Sequence, residues 1–211
     1  MRTLAISPHA DDVEIGMAGS LCKFLSDGDD LKILTAIIPC ETSNGQRDPD
    51  FKKKRRKEQE KTARLLGADL EILDIDPYDF ESNREYIKMF DKLINDFSPD
   101  RIFTCWRYDS HQDHKTLSNI VDVATRKNRC SVYMYETMIP GGFGTNSFNP
   151  QYLVNISDFI DQKKEILKTY SSVFGDKPNL IDTILSRSSH RGGQIGVKHA
   201  EAFEVVKSIE F

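Results

Sequence analysis

The residues best suited to chemistry stand near the start of the chain. His9, Asp11 and Asp12 come directly after the apolar run Leu4-Ala5-Ile6. That run predicts a buried strand, which should stop at Pro8 because proline has no N–H for a sheet ladder. The ends of strands in open α/β sheets are where ligands bind. One imidazole and two carboxylates there could hold a metal ion and leave one carboxylate to move protons. The aspartates could equally cap the next helix, so this stretch alone leaves both interpretations open.

A second stretch of the same kind lies far along the chain. Asp109-Ser110-His111-Gln112-Asp113-His114 follows the apolar run Ile102-Phe103-Thr104-Cys105-Trp106 and precedes a helical pattern. If the two strands are parallel in one sheet, both stretches fall on the same edge and face each other. Three of the five histidines lie in these two stretches. Two matched clusters favour one shared site over unrelated surface or core histidines.

The elements that must position these residues alternate between strand and helix patterns. Apolar runs predict strands near residues 3–7, 31–38, 70–75, 102–106 and 131–135. Helical patterns lie between them, and a further one runs to about residue 170 with Lys163, Lys164 and Lys168 predicted to point outward. Alternation of this kind predicts an α/β fold, a Rossmann-like domain with a mostly parallel sheet flanked by helices. Since no linker, repeat or low-complexity segment interrupts it, we expect a single domain over residues 1–211.

Composition narrows the function classes. The chain has 211 residues, of which 38% are hydrophobic and 29% charged, as in soluble globular proteins. A net charge of -4 argues against nucleic-acid binding, and the basic run at residues 52–57 is most simply the solvated face of a helix. No apolar run is long enough to span a membrane and no signal-peptide pattern is present, so we expect a cytoplasmic protein. The composition leaves a homo-oligomer open. Four widely spaced cysteines indicate reduced core thiols, not zinc ligands: Cys22, Cys40, Cys105 and Cys130.

The two stretches together resemble the PIG-L or LmbE-like zinc-dependent de-N-acetylases. The family's His-Pro-Asp-Asp box stands here as His9-Ala10-Asp11-Asp12, followed by Glu14-Ile15-Gly16, and its His-x-Asp-His box as His111-Gln112-Asp113-His114. The C-terminal Arg191-Gly192-Gly193-Gln194-Ile195-Gly196-Val197 and Ala200-Glu201-Ala202-Phe203 are also similar to the family. The resemblance therefore covers almost the full chain.

The resemblance implies a metal site and a substrate class. The matching positions make His9, Asp12 and His114 the metal ligands, a set that suits zinc and ferrous iron alike. The implied reaction is hydrolysis of an N-acetyl or other N-acyl group, and the implied partner is a small N-acylated sugar or sugar conjugate.

The resemblance also implies roles for residues around the metal. Asp11 matches the general base that takes a proton from water, and His111 the group that stabilises the oxyanion. Asp113 matches the aspartate that keeps a histidine charged and oriented. Arg55, on the predicted helix after residue 52, matches an arginine that contacts substrate.

Three positions depart from the family pattern. Ala10 replaces the usual proline of the first box, His199 stands where many relatives have tyrosine, and Asp109 stands where some thiol-pathway relatives have tyrosine. The identity of the substrate therefore does not transfer. The glycine-rich stretch at residues 141–146 could be a lid over the pocket or a tolerated insertion.

Two other classes of function remain open. Two histidines and one carboxylate also form the facial triad of mononuclear iron oxygenases, although these usually occupy all-β scaffolds. A non-catalytic ligand-binding module of Rossmann-like shape is the other alternative. Asp11 discriminates the hydrolase from the module, because only hydrolysis needs a base.

Overall fold

A seven-stranded sheet forms the centre of the computed structural model, which describes residues 1–41, 45–137 and 146–210, apart from the side chain of Pro178. The strands are β1 (Arg2–His9), β2 (Asp30–Ile37), β3 (Asp69–Ile72), β4 (Arg101–Cys105), β5 (Ser131–Tyr135), β6 (Tyr152–Asn155) and β7 (Ala200–Lys207). Their order across the sheet is β3-β2-β1-β4-β5-β7-β6. The five strands from β3 to β5 pair in parallel, and β7 runs antiparallel to both of its neighbours. The prediction of an α/β fold with a mostly parallel sheet is confirmed.

In the part of the chain that the structure describes, seven α-helices connect and cover the strands. They are α1 (Asp12–Ser26), α2 (Pro49–Leu66), α3 (Arg84–Phe97), α4 (Gln112–Ala124), α5 (Ile160–Lys168), α6 (Ser171–Phe174) and α7 (Pro178–Gln194). Helix α1 packs against α2 and α5, while α3 packs against α4. Consecutive residues of β1 and β2 are buried, so both faces of the sheet centre are covered. Within the ranges described, no helix is both long and apolar enough to cross a membrane.

The strand order reverses between β1 and β4. From β1 the chain passes through α1 to β2 on one side, whereas β4 lies on the other side and is reached only after α3. Such a switch point leaves a crevice at the carboxyl ends of the two strands. β1 pairs with β4 only over Thr3–Ala5, so Pro8 lies beyond that ladder and the strand continues to His9. Both polar stretches found in the sequence therefore flank the crevice.

Helix α1 is held close to the sheet and is interrupted in the middle. A Cβ on Gly16 would lie 2.5 Å from Cδ2 of Tyr135, so only glycine allows this approach. Met17 has non-helical dihedral angles (φ -149°, ψ 19°), which break the helical hydrogen-bond series. Backbone groups on both sides of the break therefore need other partners.

A buried ion pair supplies those partners. Lys163 donates to the carbonyl of Ile15 at 2.9 Å and pairs with Glu201, whose carboxylate accepts hydrogen bonds from the backbone N–H groups of Gly19 and Ser20 at 3.1 and 2.6 Å. Lys163 is only 1% exposed. The prediction that it points outward is wrong. The break in α1 leaves buried backbone groups that need hydrogen-bond partners, and the helical pattern of α5 gives no sign of them.

Two further sequence expectations concern the cysteines and the glycine-rich segment. All four cysteines are free, with Cys105 and Cys130 buried and the other two half-buried. The segment 141–146, predicted as a lid or an insertion, lies outside the described residues except for Asn146.

Candidate active site

The first part of the site is the turn that joins β1 to α1. His9 is the last residue of β1, and Asp12 is the first residue of α1. Asp11 between strand and helix has φ 105° and ψ -25°, a left-handed conformation that is costly for a residue with a Cβ. The turn gives the neighbouring carboxylates different partners: Asp11 contacts Arg55, and Asp12 contacts His9 and His114.

The second part is the start of α4, just beyond the end of β4. His111 caps the helix, since its Nδ1 accepts a hydrogen bond from the backbone N–H of Asp113 at 3.2 Å. Asp113 and His114 lie in the first helical turn. Asp113 and His114 are buried, whereas the side chain of His111 remains 53% exposed. The helix therefore presents one accessible and one buried imidazole to the crevice.

The two parts meet across the crevice. Oδ2 of Asp12 lies 3.1 Å from Nδ1 of His9 and 3.2 Å from Nε2 of His114. The ring centroids of His9 and His111 are 4.7 Å apart, and those of His111 and His114 are 4.9 Å apart. The structure thus brings together the residues of the two boxes, although they are separated by about a hundred positions in the chain.

Asp113 has a partner that the sequence did not indicate. Its Oδ2 lies 2.8 Å from Nε2 of His9 but 3.9 Å from Nδ1 of His111. The role implied by the resemblance, to keep a histidine charged and oriented, stays a prediction. In this geometry the nearer histidine is His9.

The carboxylates create a strongly negative environment for the histidines. Burial by itself would lower the pKa of His9, but hydrogen bonds to Asp113 and Asp12 raise it to about 8. Burial likewise opposes the charge on His114, but Asp12 and Asp109 raise its pKa to about 10. The same carboxylate charges that favour the protonated imidazoles would also favour a bound cation.

The side chains fit a metal ion. One ligand atom from each of His9, His111 and His114 lies within 4.8 Å of the others, so these three histidines could hold a metal. A tetrahedral zinc ion with bonds of about 2.0–2.1 Å places its ligand atoms about 3.3–3.4 Å apart. Oδ2 of Asp12 lies 3.1 Å from Nδ1 of His9 and 3.2 Å from Nε2 of His114, slightly closer than that spacing. Two overlapping ligand sets are therefore present, one with His111 and one with Asp12 as the third member.

Asp11 belongs to a separate contact group. Its Oδ1 lies 3.0 Å from Nη2 of Arg55, which also donates to the carbonyl of Ala10, while Nη1 of Arg55 donates to Oγ of Ser172 at 3.3 Å. Burial raises the pKa of Asp11 to about 6, and the charge of Arg55 opposes this increase. Arg55 is only 3% exposed. Both terminal nitrogens of its guanidinium thus already have partners within the protein. Its predicted contact with substrate stays a prediction.

A cavity of about 590 Å³ opens over these groups. Asp11, Asp12 and the three histidines of the two boxes are among the residues that line it. The lining also includes a group of apolar side chains, from Ile15, Ile37, Val173, Phe174 and Leu180. His199 is not among the described residues that line it and instead donates its backbone N–H to Ser157.

Asp109 is the residue at this site that sequence reasoning missed as a functional candidate. It is 1% exposed, and its Oδ2 lies 2.9 Å from Nδ1 of His114. The sequence shows it only as a departure from a tyrosine of some relatives. The available signal was an acidic residue in the strand-to-helix loop, five positions before a histidine of the first helical turn.

Comparison with known proteins identifies similar chains. The sequence model of the PIG-L family, GlcNAc-PI de-N-acetylase, matches residues 4–125. A diacetylchitobiose deacetylase from Thermococcus kodakarensis is 27% identical over 187 residues, which cover 82% of this chain and 70% of that protein.

Solved structures show the same fold at lower identity. The N,N'-diacetylchitobiose deacetylase from Pyrococcus horikoshii superposes with a TM-score of 0.81 at 22% identity, covering 98% of this chain and 84% of the other. A 4-carboxy-2-hydroxymuconate hydratase from Pseudomonas putida superposes with a TM-score of 0.80 at 16% identity, covering 100% and 98%. At these identities the structural similarity establishes the fold alone. The chemistry has to be inferred from the side chains of the site.

Proposed function

Because the chain belongs to the PIG-L family of GlcNAc-PI de-N-acetylases, we propose that it is a metal-dependent hydrolase that removes an N-acetyl or other N-acyl group from an amino-sugar-containing substrate. One observation carries the proposal. Asp12 contacts His9 and His114 as a third metal ligand would, while its neighbour Asp11 pairs with Arg55 and lines the same cavity. A metal site with an adjacent, separate base is what hydrolysis by activated water requires.

The proposed metal ligands are His9, Asp12 and His114. His111 is the less suitable third ligand because its side chain is half exposed and its Nδ1 already accepts the N–H of Asp113. A bound zinc ion lowers the pKa of a coordinated water to about 7 and polarises an amide carbonyl. Ferrous iron suits the same ligands, so the native metal is part of the test.

Asp11 is the proposed general base. It lines the cavity, and its Oδ1 pairs with Nη2 of Arg55 at 3.0 Å. A carboxylate in this position takes the proton from the attacking water and can return a proton to the leaving amine.

His111 is the proposed electrophilic group. Its Nδ1 accepts a backbone hydrogen bond, so its Nε2 is the nitrogen left to donate to an oxyanion in the cavity. Burial and the charges of His9 and His114 lower the pKa of His111. A neutral imidazole with its proton on Nε2 can still donate this hydrogen bond.

The substrate class follows from the family and from the shape of the cavity. The relative from Thermococcus kodakarensis is named for deacetylation of an N-acetylated sugar, diacetylchitobiose. A cavity of about 590 Å³ has room for an N-acylated sugar ring with a further group attached. The apolar wall formed by Val173, Phe174 and Leu180 suits the carbon face of such a ligand.

The experiment is a measurement of free amine released from a panel of N-acetylated sugars, chitobiose derivatives and sugar nucleotides. The protein is first stripped of metal and then reconstituted with zinc or, anaerobically, with ferrous iron. We expect release only from the reconstituted protein and none from His114→Ala. His190→Ala is the matched control, because His190 is an exposed histidine on α7 outside the cavity lining.

Three results would contradict the proposal. Amine release that survives both metal removal and His114→Ala would show that the site does not act through a metal. Binding of panel members without release, by a metal-loaded protein, would support the ligand-binding module instead. Turnover that requires oxygen would support the iron oxygenase.

A further inference from the structure

A buried carboxylate that takes no part in the proposed chemistry lies directly behind His114. Asp109 is 1% exposed, and both of its oxygens have partners. Oδ2 lies 2.9 Å from Nδ1 of His114 and accepts a hydrogen bond from Oγ1 of Thr137. Oδ1 accepts the backbone N–H of His111 at 2.9 Å. We infer that Asp109 is a positioning residue that fixes the ring of His114 for metal binding, an inference that rests on the proposed function only in taking His114 as a ligand.

The contact with His114 decides which ring nitrogen faces the cavity. A neutral imidazole carries one N–H, and a carboxylate 2.9 Å from Nδ1 holds the proton on that atom. Nε2 is then the nitrogen whose lone pair would be available to a metal ion, and it lies 3.2 Å from Oδ2 of Asp12, the neighbouring proposed ligand. Metal-ligating histidines are commonly held in this way by a carboxylate on the other nitrogen, which also makes the ligand more basic.

A purely local role does not account for these contacts. The bond from Oδ1 to the N–H of His111, two residues on, is an ordinary aspartate turn that would help any helix begin. Oδ2, in contrast, contacts His114 in α4 and accepts a hydrogen bond from Thr137 beyond the end of β5. Asp109 therefore ties the ring of His114 to two neighbouring strand ends.

The test measures zinc affinity, not turnover. Asp109→Asn and Asp109→Ala are compared with wild type by competition against a chromogenic zinc chelator, and the cobalt-substituted proteins are compared by absorption spectroscopy. We expect zinc affinity to fall by about 10–100-fold in both variants, as for loss of a carboxylate behind a histidine ligand. We also expect a changed cobalt spectrum, which a loss of stability alone would not produce.

Asp29→Asn is the matched control for the loss of a buried carboxylate. Asp29 has a side chain only 5% exposed and pairs with Arg101 at the opposite ends of the strands, far from the cavity lining. The substitution Asp29→Asn should lower the free energy of unfolding and leave zinc affinity unchanged. Zinc affinity of the Asp109 variants equal to wild type, or an equal loss in Asp29→Asn, would overturn the inference. Failure of wild type to bind zinc at all would overturn the proposed metal site, and this inference with it.

Discussion

The guanidinium of Arg55 lies 3.0 Å from Oδ1 of Asp11, with both side chains buried in the wall of the cavity. Asp11 also has a left-handed backbone conformation, which is strained for a residue with a Cβ. Its side chain is fixed by the ion pair with Arg55. Arg55 is therefore a direct charged partner of the proposed base. This contact suggests that the arginine acts on the reaction through the position of Asp11.

Arg55→Lys tests that role. The guanidinium of Arg55 reaches Asp11, the carbonyl of Ala10 and Ser172 at once, and a single ammonium cannot reproduce this fork. We expect kcat to fall by about 10²-fold with little change in KM, because the base is misplaced. Steady-state kinetics on the best panel substrate gives both constants.

Arg56→Lys is the control for this substitution. Arg56 is the next residue on the same helix, pairs with Asp74 and lies outside the cavity lining. It should leave both constants unchanged. A raised KM with unchanged kcat in Arg55→Lys would instead support the direct substrate contact that the family resemblance implies.

The ion pair between Lys163 and Glu201 gives a prediction about stability. Lys163→Met leaves the buried carboxylate of Glu201 without its charged partner, so we expect a loss of about 3–5 kcal/mol in the free energy of unfolding. Chemical denaturation measures it. Lys168→Met is the control, because Lys168 pairs with Glu165 at the solvent-exposed surface, where an ion pair contributes little to stability. Similar losses in the two variants would contradict a larger contribution from the buried pair than from the exposed one.

Asp29 gives a prediction about pH. Burial alone would raise the pKa of Asp29, but hydrogen bonds from Thr3 and Arg101 outweigh it and hold the pKa below its usual value. The unfolded chain then binds more protons, so Asp29 stabilises the fold above about pH 4, and this contribution is lost as the pH falls through the folded-state pKa. Asp29→Asn should therefore cost about 1.5–3 kcal/mol at pH 7 and progressively less below pH ~4.

Denaturation of wild type and Asp29→Asn at several pH values checks this. Asp27→Asn is the control, because the side chain of Asp27 is about half exposed and pairs with Lys23 at the surface. A difference between wild type and Asp29→Asn that stays constant from neutral to acid pH would contradict the ionic origin of the effect.

The sequence allowed the main features of the fold and the location of the site to be predicted. Apolar runs followed by polar residues marked the ends of β1 and β4, and alternation of strands and helices implied that these ends lie on one edge. The strand β7 was not predicted. It contains the buried Glu201, whose partners in α1 and α5 come from distant parts of the chain.

The finer contacts of the site could not be predicted for a related reason. Asp113 contacts His9 and Asp109 contacts His114 because of how a turn and a helix start are oriented across the crevice. Spacing along the chain carries no information on those orientations. Resemblance to a family assigned roles to positions, but the identity of each contact required the three-dimensional arrangement.

The most direct test of the proposed hydrolysis is turnover by Asp11→Asn in its zinc-loaded form. Asparagine keeps the shape of Asp11 and an oxygen for Arg55 but cannot take a proton at neutral pH. We expect the variant to bind zinc as wild type does and to release amine about 10²–10⁴-fold more slowly. Zinc-loaded Asp11→Asn that releases amine at the wild-type rate would contradict the assignment of Asp11 as the base and, with it, the proposed mechanism.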